Sequence, residues 1–145
     1  MKHWIIEIIT GLLGSVGFAL LFNLRKKYLP FAALGGAVCW GTYLLAEHFG
    51  SGIFLASFAA ASVSALFAEI LARKVKAPVT LFLITTLIPL VPGSSLYNTM
   101  YSIVTGDLAE AGIYGSSTLY CVLGIASGIC AVTALIFAGG KGRRK

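Results

Sequence analysis

Charged side chains fall along this chain in tight clusters, and the sequence between them is apolar. Five apolar runs stand out: Trp4 to Asn23, Pro30 to about His48, Gly52 to Ala72, Pro78 to about Thr105, and about Tyr114 to Ala138. Each is near or above the ~20 residues that carry a helix across a bilayer. The connectors RKKYL, EHFGSG, RKVKA and GDLAEAGI are short, and KGRRK ends the sequence. The pattern predicts an all-α polytopic membrane protein, a single transmembrane domain over residues 1–145 with five transmembrane helices and no soluble domain or linker. The first run reads as a span rather than a cleaved signal. Glu7 interrupts its apolar part, its basic start is thin, and no small-residue cleavage site precedes the second run.

Composition supports this. Of 145 residues, 58% are hydrophobic and 11% charged, against roughly 25% charged in an average soluble domain. A soluble core of this length cannot hide so much apolar surface. Arg25, Lys26 and Lys27 follow the first run; Arg73, Lys74 and Lys76 follow the third; Lys141, Arg143, Arg144 and Lys145 follow the fifth. With five crossings these clusters share one face, and Glu47, Asp107 and Glu110 fall on the other. The positive-inside rule makes the basic face cytoplasmic, with the N-terminus outside and the C-terminus inside. Topology thus accounts for the net charge of +6, and the scattering of the basic residues to span ends argues against nucleic acid as a partner.

Small residues recur at helical spacing within the runs: Gly11, Ser15 and Ala19; Ala33, Ala37 and Gly41; Ala56, Ala60, Ser64 and Ala68; and the GxxxG pair Gly124 and Gly128. Such stripes let backbones approach closely in lipid, where apolar burial provides little drive. They predict a dense bundle, and surplus grooves imply a partner or a second copy of the chain. Cys39, Cys121 and Cys130 lie in separate spans without CxxC spacing or a nearby His, and are expected to be small packing residues. Neither a metal site nor another cofactor is expected.

The fourth run, at about 42 Å as a continuous helix, is longer than a ~30 Å hydrocarbon core requires. Its middle reads IPLVPGSSLYNTM, residues 88 to 100. Pro89 and Pro92 each remove an amide and clash with the preceding turn, and Gly93 tolerates most backbone angles, so a break is expected near residues 91 to 94. Unwound backbone at membrane depth has to face protein or a water-filled cavity. Two readings fit. In the first, the break is a transporter-type solute site, with Ser94 and Ser95 opening the second half-helix and Asn98 and Tyr101 continuing a polar face. In the second, it is a proline-kinked helix with Ser94 or Ser95 as an ordinary N-cap.

IPLVPGSSLYNTM, followed by GDLAEAG and a Gly-rich last helix with GIASG, resembles the threonine/serine exporter (ThrE) family, whose membrane domain carries a P-x-x-P-G-s-x-x-Y pattern. The likeness covers nearly the whole chain and is to the free-standing small subunit, the YjjB-like type. It implies export of small amino acids such as threonine and serine, driven by the proton gradient across a bacterial cytoplasmic membrane, or of a succinate-like dicarboxylate in the split branch. It also implies a larger YjjP-like partner subunit. Carried onto this sequence, the pattern marks Pro92, Gly93, Ser94, Ser95 and Tyr97, with Asn98 and Tyr101 beyond, as substrate-binding residues.

Other polar residues within the runs allow more than one role. Glu7, about a turn inside the first run, is either a proton relay facing a cavity or an interfacial acid that snorkels. Glu69 precedes Arg73 by four residues, the favourable order for a helical ion pair. Trp40, away from the aromatic belts that suit Trp4 and Tyr28, packs or lines a pocket. Thr85 and Thr86 either face the cavity at the break or bond to their own helix. His3 and His48 sit at membrane edges and the carboxylates are scattered, so no acid–base pair or nucleophile triad points to an enzyme. A secondary transporter subunit and a non-transporting scaffold or regulatory subunit are the two classes left.

Overall fold

The computed structural model describes residues 2–141 of the backbone and the side chains of residues 6–138. The side chains of Trp4, Lys141, Arg143, Arg144 and Lys145, used above for topology, lie outside that range. The described chain is helical throughout, with no strand. Helix α1 is Lys2–Leu21, α2 Leu29–His48, α3 Ile53–Val75, α4 Val79–Leu87, α5 Gly93–Thr105 and α6 Leu108–Lys141, with 3-10 turns at Lys26–Tyr28 and Ile88–Leu90. Among the described residues, three helices are long and apolar enough to cross a membrane: Lys26–His48, Ile53–Val75 and Leu108–Ala138. The bent pair Val79–Leu90 and Gly93–Thr105 makes a fourth if counted as one span, while the described part of α1, Ile6–Leu21, is a shorter apolar helix.

Four helices end alike. A residue with positive φ follows the last turn, and the next N–H reaches back across the helix end, the arrangement that satisfies otherwise orphaned carbonyls. Asn23 (φ 53°) closes α1, with Leu24 N–H on the Ala19 carbonyl at 2.9 Å. Gly50 (φ 75°) closes α2, with Ser51 N–H on the Ala46 carbonyl at 3.1 Å. Lys76 (φ 55°) closes α3, with Ala77 N–H on the Ala72 carbonyl at 3.1 Å. Gly106 (φ 83°) closes α5, with Asp107 N–H on the Ser102 carbonyl at 2.9 Å. Asp107 then caps α6 by accepting the Glu110 N–H at 3.0 Å. That cap corrects the reading of GDLAEAGI as a connector, because the helix already begins at Leu108.

Helix α3 is the hub, packing against α2, α4 and α6. Its expected stripe is the one that packs: Ala56, Ala60, Ser64 and Ala68 are buried. Gly11, Ser15 and Ala19 are likewise buried in α1. In α2 the expected stripe of Ala33, Ala37 and Gly41 is only half-buried, and the packed face is instead Ala32, Gly35, Gly36 and Cys39. The neighbouring helices explain the shift. A Cβ on Gly36 would collide with the Ser15 side chain of α1, and one on Gly35 would stand 3.1 Å from Thr86 Cγ2 of α4 and 3.2 Å from Phe67 of α3. These two adjacent glycines let α2 meet α1 on one flank and α3 and α4 on the other. The Glu69–Arg73 pair forms, with Arg73 Nη2 2.8 Å and Nε 3.1 Å from Glu69 Oε1.

Helix α6 lies alongside α3 and runs in the same direction. Gly124 rests on Phe54 and Ser57, and Gly128 rests one turn further along, on Phe58, Ala61 and Ser62. Added Cβ atoms would stand 2.6 Å from the Phe54 carbonyl oxygen and 2.7 Å from that of Phe58, so any side chain forces the two backbones apart. Gly128→Ala in purified protein should therefore destabilise the bundle by about 1–3 kcal/mol, read as a lower melting temperature in detergent. Gly112→Ala, on the same helix with nothing within 4 Å of its added Cβ, should melt like wild type. Equal melting of the two variants would refute this close α3–α6 seam.

A candidate functional site at the broken helix

The break lies where the two prolines require it. Helix α4 stops at Leu87, a 3-10 turn carries Pro89, and Val91, pushed out of the helical region by the proline after it, is extended (φ −62°, ψ 124°). Pro92 (φ −77°, ψ 58°) is the N-cap of α5, and the two half-helices meet at 55°. The expected non-helical stretch of residues 91 to 94 thus shrinks to Val91 and Pro92. Gly93 and Ser94 are already helical, because Pro92 has set the turn and leaves no unusual angle for Gly93 to absorb. Neither Ser94 nor Ser95 caps the helix, since α5 has no side-chain cap bond. The first N–H of α5 to reach back to the cap is that of Leu96, on the Pro92 carbonyl at 3.0 Å, which leaves the N–H groups of Ser94 and Ser95 available.

A cavity of about 170 Å³ opens beside the break. The broken segment contributes Pro89 to Pro92, α5 contributes Ser94 and Ser95, α2 contributes Trp40 and Tyr43, α3 contributes Ile53, and α6 contributes Ser117 and Cys121. Trp40 and Tyr43, one helical turn apart, stack at 5.2 Å between ring centroids. The Trp40 indole Nε1 is buried and has no hydrogen-bond partner. An unmatched buried donor costs about 1–3 kcal/mol. A second cavity, of about 230 Å³, adjoins the first through Trp40 and Pro89 and is lined by Glu7, Thr10 and Gly11 as well.

Of the residues expected at the site, Pro92, Ser94 and Ser95 line the first cavity and Glu7 the second. Gly93, Tyr97, Asn98 and Tyr101 are not among the lining residues. Tyr97 and Tyr101 are 68% and 59% exposed and stack on each other along the outer face of α5. Asn98 is half-buried next to Thr99, which meets Gly115 of α6, while Ser94 and Tyr101 are exposed, so the polar face read from Ser94 through Asn98 to Tyr101 does not line the cavity as one surface. Thr85 and Thr86 are buried away from the cavity, and Thr85 Oγ1 donates to the Leu81 and Phe82 carbonyls of its own helix.

Sequence reasoning passed over Tyr43 and Ser117 and read Cys121 as a packing residue. Cys121 does more than fill space: its Sγ accepts from Ser57 Oγ at 3.3 Å and donates to the Leu90 carbonyl at 3.6 Å, linking α3, α6 and the broken segment. The signal was spacing, because Ser117 and Cys121 precede Gly124 and Gly128 on one face of α6. Cys39 is a packing residue, buried with Ala60, Ala61 and Leu90, whereas Cys130 is exposed.

The family model described as Threonine/Serine exporter, ThrE, matches residues 7–135. An uncharacterized protein of Haemophilus influenzae is 30% identical over 104 residues, which is 72% of this chain and 35% of that protein. The matched stretch therefore spans about a third of that relative. No solved structure matches the chain. With most of its length inside the family model, and with membrane-length apolar helices around a proline break, the chain belongs to the threonine/serine exporter (ThrE) family.

Proposed function

We propose that this chain is one subunit of a secondary transporter that exports small amino acids of the threonine and serine type, with the solute held in the cavity at the broken helix. The observation that carries this reading is the pair of free N–H groups that open α5 at the cavity, beside Trp40, a lining residue whose buried indole N–H is unpartnered. Together with the positive end of the α5 dipole they suit a carboxylate. Carbonyls of the unwound segment suit an ammonium, and Tyr43 and Ser117 suit a hydroxyl. A cavity of about 150 Å³ holds a benzene-sized molecule, so the 170 Å³ here is of the right scale. No Lys or Arg lines it, which favours a zwitterion over a dicarboxylate that would bring a second negative charge.

The same geometry supports the rest of the mechanism. Glu7, in the adjoining cavity, takes and releases the coupled proton, with Trp40 and Pro89 between it and the solute. Helix α1 makes the fifth crossing, since it packs along α2 and α4, and the chain is oriented with its N-terminus outside. The turns carrying Arg25 and Lys76 meet at one end of the bundle, as a shared cytoplasmic face requires. A larger membrane subunit supplies the other wall of the path, for which the much greater length of the Haemophilus relative is the support.

Three experiments test this. In cells carrying the chain with its larger subunit, Pro89→Ala combined with Pro92→Ala should straighten the fourth span and reduce threonine export at least about tenfold without lowering membrane abundance. Gly93→Ala, at an ordinary helical position with free space around it, should export normally. Trp40→Phe keeps the ring and removes the donor, and should raise KM by about 10- to 100-fold, the effect of about 1.5–3 kcal/mol from a bond to a charged group. Full export by the double proline variant would reduce the break to a kink. Finally, truncation reporters at Asn23, His48, Ala77 and Gly112 should read inside, outside, inside and outside. A C-terminus that reports outside would contradict the five-span arrangement.

A further inference from the structure

The end of the bundle opposite Gly50 carries a third cavity, of about 330 Å³, between the α1–α2 turn and the α3–α4 turn. Its lining has two characters. Arg25 from one turn and Lys76 from the other bring cations from distant parts of the sequence to one space, while Phe22, Leu24, Pro78 and Leu81 supply apolar walls. Tyr28, packed edge-on against Phe82 at 5.7 Å, forms part of the lining, and the ammonium of Lys27 sits 4.7 Å from the centroid of the Tyr28 ring. Among the described residues the ion pair at this end is Arg73 with Glu69, so neither Arg25 nor Lys76 is neutralised by a carboxylate.

The backbone here departs from its usual economy. At the other end of the bundle the two left-handed turn positions are Gly50 and Gly106, where no side chain resists positive φ. At this end the same positions are Asn23 and Lys76, both lining the cavity. A lysine in that conformation is strained relative to glycine, and such strain persists where the side chain is needed. A turn that merely ended a helix would do better with glycine.

We infer that this cavity binds the phosphodiester headgroup of an anionic phospholipid, with Arg25 and Lys76 on the phosphate and Phe22 and Leu81 beside the first carbons of an acyl chain. The position suits a lipid, because the turns lie at the ends of membrane-length helices, where basic pockets between spans receive headgroups. A free phosphate would use the cations and leave the apolar half of the lining without a partner. The inference stands apart from the solute site and holds whatever that site transports.

The test is native mass spectrometry of the full-length purified protein with added phosphatidylglycerol, phosphatidylcholine or inorganic phosphate. Phosphatidylglycerol should remain bound as a discrete one-lipid adduct, phosphatidylcholine should bind about tenfold more weakly, and millimolar phosphate should not compete. Lys76→Gly combined with Arg25→Gln should reduce the phosphatidylglycerol adduct about tenfold or more. Lys76→Gly should also raise the melting temperature of lipid-free protein by relieving the turn, so loss of lipid cannot be ascribed to misfolding. Lys26→Gln with Lys74→Gln, at the same end but outside the cavity, should retain the adduct. Retention of the adduct by the Arg25 and Lys76 variant would overturn the inference, as would equal loss in the control pair or displacement by inorganic phosphate.

Discussion

Inside hydrocarbon a peptide group that leaves its helix has nothing to bond to, and each unsatisfied group costs several kcal/mol. The arrangement around Val91 and Pro92 follows from this constraint. Two prolines interrupt the fourth span, and other helices crowd around the interruption. The 3-10 turn after α4 packs against α1, α2 and α3, and the Leu90 carbonyl is met by the Cys121 thiol from α6. The glycines of α6 make that meeting possible. Because Gly124 and Gly128 let α6 lie against the backbone of α3, Cys121 falls within reach of both Ser57 and Leu90. Packing at the seam and polar satisfaction at the break are therefore one problem, solved by one face of one helix.

The same constraint explains why the cavity is where it is. Covering the break completely would need close packing on every side, yet α5 leaves α4 at 55° and leans on α6. The wedge between the half-helices stays open and is lined by Trp40, Tyr43 and Ser117. A kink absorbed into packing would leave no wedge. Here the diverging half-helices leave a space of small-solute size, edged by the open amides of α5 and by the Trp40 ring.

Much of this was legible in the sequence, and what was not has identifiable causes. Apolar runs and clustered charges predicted the helices, because lipid permits few alternatives to a helix. The double proline predicted the break, because a missing amide is a property of the residue itself. The register of packing was harder. Gly35 and Gly36 matter through side chains that other helices bring to them, Ser15 from α1 and Thr86 from α4, and no spacing within α2 reveals those. Trp40 and Cys121 gain their surroundings from distant neighbours in the same way, while Tyr97 and Tyr101, beside the proline motif, are turned away from the cavity by the rotation of α5. Asp107 was legible in principle, as a cap three residues before Glu110, but the polar composition of the segment read more readily as a loop.

The parallel course of α3 and α6 bears on how the chain is made. Neighbouring helices that run the same way cannot be joined by a tight turn, and here the crossover between them is the broken span itself. The thiol that meets the Leu90 carbonyl lies 31 residues further along the chain. At about 5–20 residues per second, synthesis leaves that carbonyl without its partner for roughly 2–6 s after it emerges. During that interval the nascent protein has the defect without the helix that repairs it, and the translocation machinery, rather than the fold, has to keep the half-made span from lipid.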